Sequence, residues 1–102
     1  MCLTIVRFTP LKKLSPEEYG AFLRKIMPGY QGAAGLKRKY FIGSDTGGMG
    51  VYEWESRQHA EDFYNEDWKV QMSAMAGDSV TLEYTRINAI LDNVAGEVDY
   101  RV

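Results

Sequence analysis

Few side chains in this sequence have the types and spacing to do chemistry, and most of them fall in or beside strand-like runs. His59 is the only histidine, and its near-neutral reference pKa makes it the natural candidate for a general base. A few residues earlier, Trp54 and Tyr52 stand two apart on one strand, so both side chains project from the same sheet face. They are candidates for the aromatic wall of a pocket; the alternative is core packing with their polar tips satisfied at its rim. Phe63, in the stretch that follows, joins the substrate-contacting set.

Arg38 and Arg86 also lie in strand-like runs, and a guanidinium in a sheet needs a carboxylate or a ligand anion. Glu53 and Glu83 are available as ion-pair partners. An arginine facing the helices beside Tyr84 or Tyr40 would instead bind a phenolate or carboxylate. Tyr40 and Tyr84 otherwise suit cross-strand packing pairs. With one Cys and one His, the chain holds no zinc-ligand set, and Cys2 has no partner for an internal disulfide.

The elements that position these residues are legible from punctuation and periodicity. Cys2 to Thr9 is rich in apolar and β-branched residues and ends at Pro10, which reads as a first strand. Ser15-Pro16-Glu17-Glu18 carries the signature of a capping box, so a helix starts there. Tyr19, Phe22, Leu23 and Ile26 continue it at helical spacing, and Pro28-Gly29 is the expected stop. Gly35 to Gly43 and Met49 to Glu55 form a hairpin about the turn residues Ser44-Asp45-Thr46-Gly47-Gly48. Turn geometry accounts for the glycines there, since no helix start or Lys-Ser/Thr pair follows to make a phosphate loop. Ser56 caps a second helical stretch through Phe63 and Tyr64, less regular through Trp68, Met72 and Met75, that ends at Gly77. Ser79 to Leu91 reads as one long final strand.

The resulting order, βαββαβ, is the ferredoxin-like α+β arrangement: both helices on one face of an antiparallel sheet, the other face bare. The strands are bulky at both parities, with Tyr40 against Phe41, Val51 against Tyr52, and Leu3 and Ile5 against Val6 and Phe8. A bare face of that composition predicts a homodimer with the sheets face to face. The 102 residues are read as one domain, 1–102, with 92–102 as an added edge strand or a tail crossing to the partner.

Composition narrows the function classes. A formal net charge of −2 argues against nucleic acid, which calls for a basic face. No apolar run approaches the roughly 20 residues of a membrane span, and no basic region precedes the apolar N-terminus as in a signal peptide. A cytoplasmic location with no membrane partner is expected.

From Gly47 to Ser56 (Gly-Gly-Met-Gly-Val-Tyr-Glu-Trp-Glu-Ser) and through His59-Ala60-Glu61-Asp62-Phe63-Tyr64, the sequence resembles the antibiotic-biosynthesis-monooxygenase superfamily of dimeric α+β barrels. The likeness is closest to the YdhR-like monooxygenases. It implies a ligand cavity between sheet and helices and, as in some members, oxygenation of aromatic or polyketide-like substrates without a cofactor. Such chemistry asks the protein for a base, a desolvated pocket and donors for developing oxyanions. His59, Trp54 and Arg86 are then the candidate catalytic residues, and Tyr52, Arg38, Tyr40, Phe63 and Tyr84 the candidate substrate contacts. Other members of the wider superfamily are cyclases, isomerases or haem degraders. The haem-degrading pattern is disfavoured because its helix Trp and His positions fall on Phe63 and Ser73. A non-catalytic dimer that binds a hydrophobic metabolite, or a module whose pocket is filled by its own side chains, are the competing readings.

Overall fold

β1 (Cys2–Phe8) is the strand around which the fold is arranged, and its sequence shows why: Cys2, Thr4 and Val6 alternate as buried residues with half-buried Leu3 and Ile5. In the computed structural model, which describes residues 1–44 and 47–101, β1 pairs antiparallel with two neighbours. These are β3 (Gly47–Trp54) on one side and β4 (Thr81–Arg86) on the other. β2 (Leu36–Ser44) adds to β3, giving the order β2-β3-β1-β4 expected of a ferredoxin-like α+β fold.

Cross-strand register sorts the side chains into rows. On the helix-facing side these run Leu36, Trp54, Cys2, Arg86; then Lys39, Tyr52, Thr4, Tyr84; then Phe41, Gly50, Val6, Leu82. The opposite face carries Arg38, Tyr40 and Ile42 of β2, Glu53, Val51 and Met49 of β3, Leu3, Ile5 and Arg7 of β1, and Thr85, Glu83 and Thr81 of β4. An irregularity between Leu36 and Arg38 shifts the pairing by one residue, so Leu36 and Lys39 share a face although three positions separate them.

α1 (Pro16–Gln31) begins with the expected box: Ser15 Oγ accepts from the Glu18 amide at 3.2 Å, and the Glu18 carboxylate accepts from the Ser15 amide at 3.0 Å. Those bonds hold the Glu18 carboxyl below its ordinary pKa. The helix does not stop at Pro28-Gly29; it incorporates Pro28 and ends at Gly32, whose amide bonds the Tyr30 carbonyl. The extra turn seats Tyr30 against Phe41, Tyr52 and Phe63, a packing gain that offsets the hydrogen bond Pro28 cannot donate.

The second helical stretch is two helices. α2 (Arg57–Phe63) starts at Ser56, and α3 (Glu66–Ala76) starts at Asn65, whose Oδ1 accepts from the Trp68 amide at 3.0 Å. The break turns Tyr64 into the core, where it is buried. Gly77, at φ +58°, ends α3 as expected.

The long final strand is also two elements. β4 stops at Arg86, and β5 (Ala89–Asp92) folds back on β6 (Glu97–Tyr100) as a separate hairpin. Its turn is made by Asp92, whose Oδ1 accepts from the Val94 and Ala95 amides, and by Gly96 at φ +72°. The tail therefore pairs with residues 89–92 instead of joining the main sheet. Asp92 lies within Coulombic range of Arg38, so the hairpin reaches back toward the opposite edge.

Of the expected hairpin turn, Asp45 and Thr46 lie outside the described residues. Gly47 and Gly48 belong to β3 and have no positive φ, so turn geometry is not what they serve. A Cβ on Gly48 would stand 2.6 Å from Phe8 Cζ, and one on Gly50 would stand 2.9 Å from Tyr52 Cε1 and 3.3 Å from Lys39 Cε. Both glycines make room for neighbouring side chains. Among the described residues no helix is long and apolar enough to cross a membrane.

Candidate functional site

Three of the candidate residues meet in the core between sheet and helices. Trp54 is wholly buried and stacks on Tyr52, with ring centroids 5.8 Å apart and planes 6° from parallel. Phe63 leans on Trp54 at 5.2 Å, and Tyr64 meets both Tyr52 and Trp54 edge-on. The polar tips are satisfied internally. Trp54 Nε1 donates to Thr4 Oγ1 at 2.9 Å, and that oxygen lies 2.6 Å from Tyr64 Oη. The Tyr52 phenol is hydrogen-bonded to that of Tyr30. Burial raises the pKa of Tyr52 and Tyr64 far above the ordinary phenol value, so both stay neutral. Thr4, which joins Trp54 to Tyr64, could not be singled out from a strand of mixed polarity.

Tyr84 and Arg86 come together elsewhere. They line a crevice of about 330 Å³ at one end of the sheet with Met1, Cys2, Arg57 and Thr85. The Arg57 guanidinium lies over the Tyr84 ring at 4.4 Å and bonds the Glu61 carboxylate at 2.9 Å. That carboxylate raises the Arg57 pKa further, and burial raises that of the Tyr84 phenol. Burial likewise pushes the Cys2 thiol up, against the pull of Arg57. Thr85 Oγ1 donates to the Leu3 carbonyl at 2.7 Å. Among the described residues no carboxylate lies within 4.0 Å of the Arg86 guanidinium. Glu83, one of the two carboxylates expected to serve Arg38 and Arg86, pairs with Arg7 at 3.6 Å. The arrangement provides two guanidinium groups, one of them without an ion pair among the described residues, beside a phenol and a thiol, which suits a planar anion. Neither Arg57 nor Cys2 stands out in the sequence; the signal for Arg57 is its place in the first turn of a helix opposite Tyr84.

Neither this crevice nor a second one reaches Trp54. The second, about 380 Å³, lies at the other end of the sheet between Phe8, Ile42, Gly48, Met49 and Thr81. Arg38 and Tyr40 are on the outer face, exposed and hydrogen-bonded to one another, with Glu53 close by. The thickness of the sheet separates them from Tyr84 and Arg86. His59 is apart again: its Nδ1 is 2.7 Å from Ser56 Oγ, the oxygen that also accepts from the His59 amide, and its ring covers Gly35.

One residue not singled out in the sequence has the most unusual surroundings. Lys39 Nζ lies 3.6 Å from the Tyr30 ring centroid, 3.9 Å from that of Phe41 and 4.3 Å from that of Tyr52. Burial pulls its pKa down to about 7, while the faces of the three rings attract a cation and pull the other way. Strict alternation along Lys37-Arg38-Lys39 conceals this, because the irregularity after Leu36 decides which of the three turns inward.

The fold is the ferredoxin-like α+β fold found among antibiotic biosynthesis monooxygenases. The chain is similar to the crystal structure of one such antibiotic biosynthesis monooxygenase, with a TM-score of 0.60 and 12% identity over 85% of this chain and 98% of that one. It is also similar to Rv0793 from Mycobacterium tuberculosis, with a TM-score of 0.58 and 16% identity over 89% of this chain and 95% of that one. No family model and no curated protein matches the sequence.

Proposed function

We propose that the protein is a small-molecule monooxygenase acting on an aromatic or polyketide-like substrate, with the crevice of Arg57, Tyr84 and Arg86 as the place where a substrate anion is held. The observation that carries this reading is the Arg86 guanidinium, without an ion pair among the described residues, lining the crevice with Arg57 on a fold shared with an antibiotic biosynthesis monooxygenase. Two fixed cations favour the ionised form of a phenol or enol. An electron-rich anion of that kind can pass an electron to dioxygen, giving a substrate radical and superoxide. Their recombination forms a carbon–oxygen bond, and loss of water from the resulting peroxide leaves the carbonyl product. The substrate supplies the reducing electrons, so the reading calls for no separate cofactor.

The assembly proposed with it is a homodimer. The outer sheet face exposes Tyr40 and Ile42 beside half-buried Leu3, Ile5, Met49 and Val51, and the hairpin of β5 and β6 exposes Leu91, Val98 and Tyr100. A second copy laid on that face covers these groups together.

Oxygen uptake with a panel of hydroquinones and anthrones, matched to product mass, tests the activity. Turnover that falls at least tenfold in Arg86→Ala supports the reading. A ligand that binds in the crevice but is recovered unchanged with and without oxygen overturns it for that ligand and favours a binding protein. A ligand isomerised or cyclised without oxygen uptake points to a related cyclase or isomerase.

A further inference from the structure

We infer that Lys39 is a reactive amine site, built to condense with an aromatic aldehyde or ketone, independently of the crevice and of the oxygenase reading. Three features of the surroundings carry this. The amine is held over Tyr30, Phe41 and Tyr52, ring faces contributed by α1, β2 and β3, and among the described residues no carboxylate faces it. The titratable groups that do face it are the Tyr30 and Tyr52 phenols, and burial keeps both protonated. An ammonium there has rings to rest on but no anion to retain its proton, so proton loss near neutrality leaves a free lone pair.

The second feature is access. Lys39, Tyr30 and Phe41 are each only half-buried, and Lys39 is on β2, an edge strand with no sheet neighbour beyond it. The third is the match between wall and reactant: flat aromatic surfaces beside an amine favour a planar aryl carbonyl over an aliphatic one. In the reaction the Nζ lone pair bonds to the carbonyl carbon as the C=O π bond opens, and both amine protons pass in turn from nitrogen to the former carbonyl oxygen. That oxygen leaves as water and an imine remains. Cyanoborohydride supplies hydride to trap the imine as a secondary amine.

The test treats the full chain with benzaldehyde and cyanoborohydride across a pH series and reads each lysine by peptide mass spectrometry. Lys39 is expected to be benzylated at least tenfold faster than Lys13, Lys37 or Lys69 near neutral pH. Its rate should level off at a pH well below that at which the other lysines begin to react. Cyclohexanecarbaldehyde should react more slowly at Lys39 alone, and denaturant should erase the preference. Tyr30→Leu, checked for folding by circular dichroism, should reduce the aromatic preference. Labelling of Lys39 no faster than the exposed lysines, or a Lys39 profile that rises only with theirs, overturns the inference. Equal rates for the two aldehydes overturn the aromatic class.

Discussion

Thr4 Oγ1 is the shared hydrogen-bond partner of Trp54 Nε1, at 2.9 Å, and Tyr64 Oη, at 2.6 Å, so one threonine on the central strand ties the indole of β3 to the phenol that separates α2 from α3. Thr4→Val keeps the shape and removes the oxygen, depriving the buried Trp54 Nε1 and Tyr64 Oη of their shared partner. The expected cost is about 2–4 kcal/mol in urea unfolding, well above that of an ordinary isosteric change. Adding Tyr64→Phe to Thr4→Val removes one of the stranded groups, so its additional cost should be smaller than that of Tyr64→Phe alone.

The strain at Gly35 gives a second test. Gly35 has φ +76°, and a Cβ there would lie 2.3 Å from His59 Cγ. Gly35→Ala is therefore expected to destabilise by roughly 2–4 kcal/mol, part from the left-handed backbone and part from the clash. His59→Ala removes the ring but keeps a Cβ 2.7 Å from the new methyl, so it should recover only some of the second part, which a double-mutant cycle by thermal unfolding would resolve. If His59 serves packing alone, the single His59→Ala variant keeps its oxygen uptake on any substrate found.

Burial of Lys39 makes stability depend on pH. The folded pKa, about 7, lies below that of the unfolded chain, so the unfolded state holds the extra proton between the two values and stability rises with pH across that window. Below it the penalty is constant. Lys39→Met is expected to stabilise by roughly 2 kcal/mol near neutral pH once the lost ring attraction is counted, and by little at alkaline pH. The raised pKa values of Tyr52 and Tyr64 act in the opposite sense: their contribution is present below the ordinary phenol pKa and is lost as pH rises above it. Urea midpoints across a pH series would show the rise followed by the fall.

For the crevice, Arg86→Ala should leave thermal stability nearly unchanged, because the guanidinium is exposed and has no ion pair to lose among the described residues. It should weaken binding of an aromatic carboxylate about tenfold while sparing its neutral amide, as read by calorimetry. The difference between the two ligands should shrink in high salt.

The proposed dimer is tested on the open face. Val51→Asp puts a charge among Ile5, Tyr40 and Ile42 without touching the helix-side core. Light scattering should find the wild-type chain as a dimer at micromolar concentration and the variant as a monomer with an unchanged circular dichroism spectrum. A monomeric wild type would overturn the assembly.

Much of this fold was legible because its signals are local. The capping box at Ser15 and Glu18, the Ser56 cap and the Gly77 stop each need only a few neighbouring residues. Strand parity rightly placed Tyr52 beside Trp54. What escaped was decided by distant contacts. Tyr30 carries α1 past Pro28 by packing on three rings from other elements. Tyr64 breaks the second helical stretch because its hydroxyl reaches Thr4. Among the candidate site residues, Tyr84 and Arg86 fell into one crevice because adjacent rows of the same strand face inward together. Arg38 and Tyr40 went to the opposite face through the one-residue shift after Leu36, which composition does not announce.

The bare backbone at Gly50 has a consequence for how this chain can change. The hydrogen that stands for a side chain there leaves the gap through which the Lys39 stem and the Tyr52 ring pass. A single methyl group at position 50 would leave the strand order intact, yet it would press on both and move the amine off its rings. The reactivity of one residue is thus hostage to the smallness of another on the adjacent strand. Drift at Gly50 could silence Lys39 while the lysine itself remained in place.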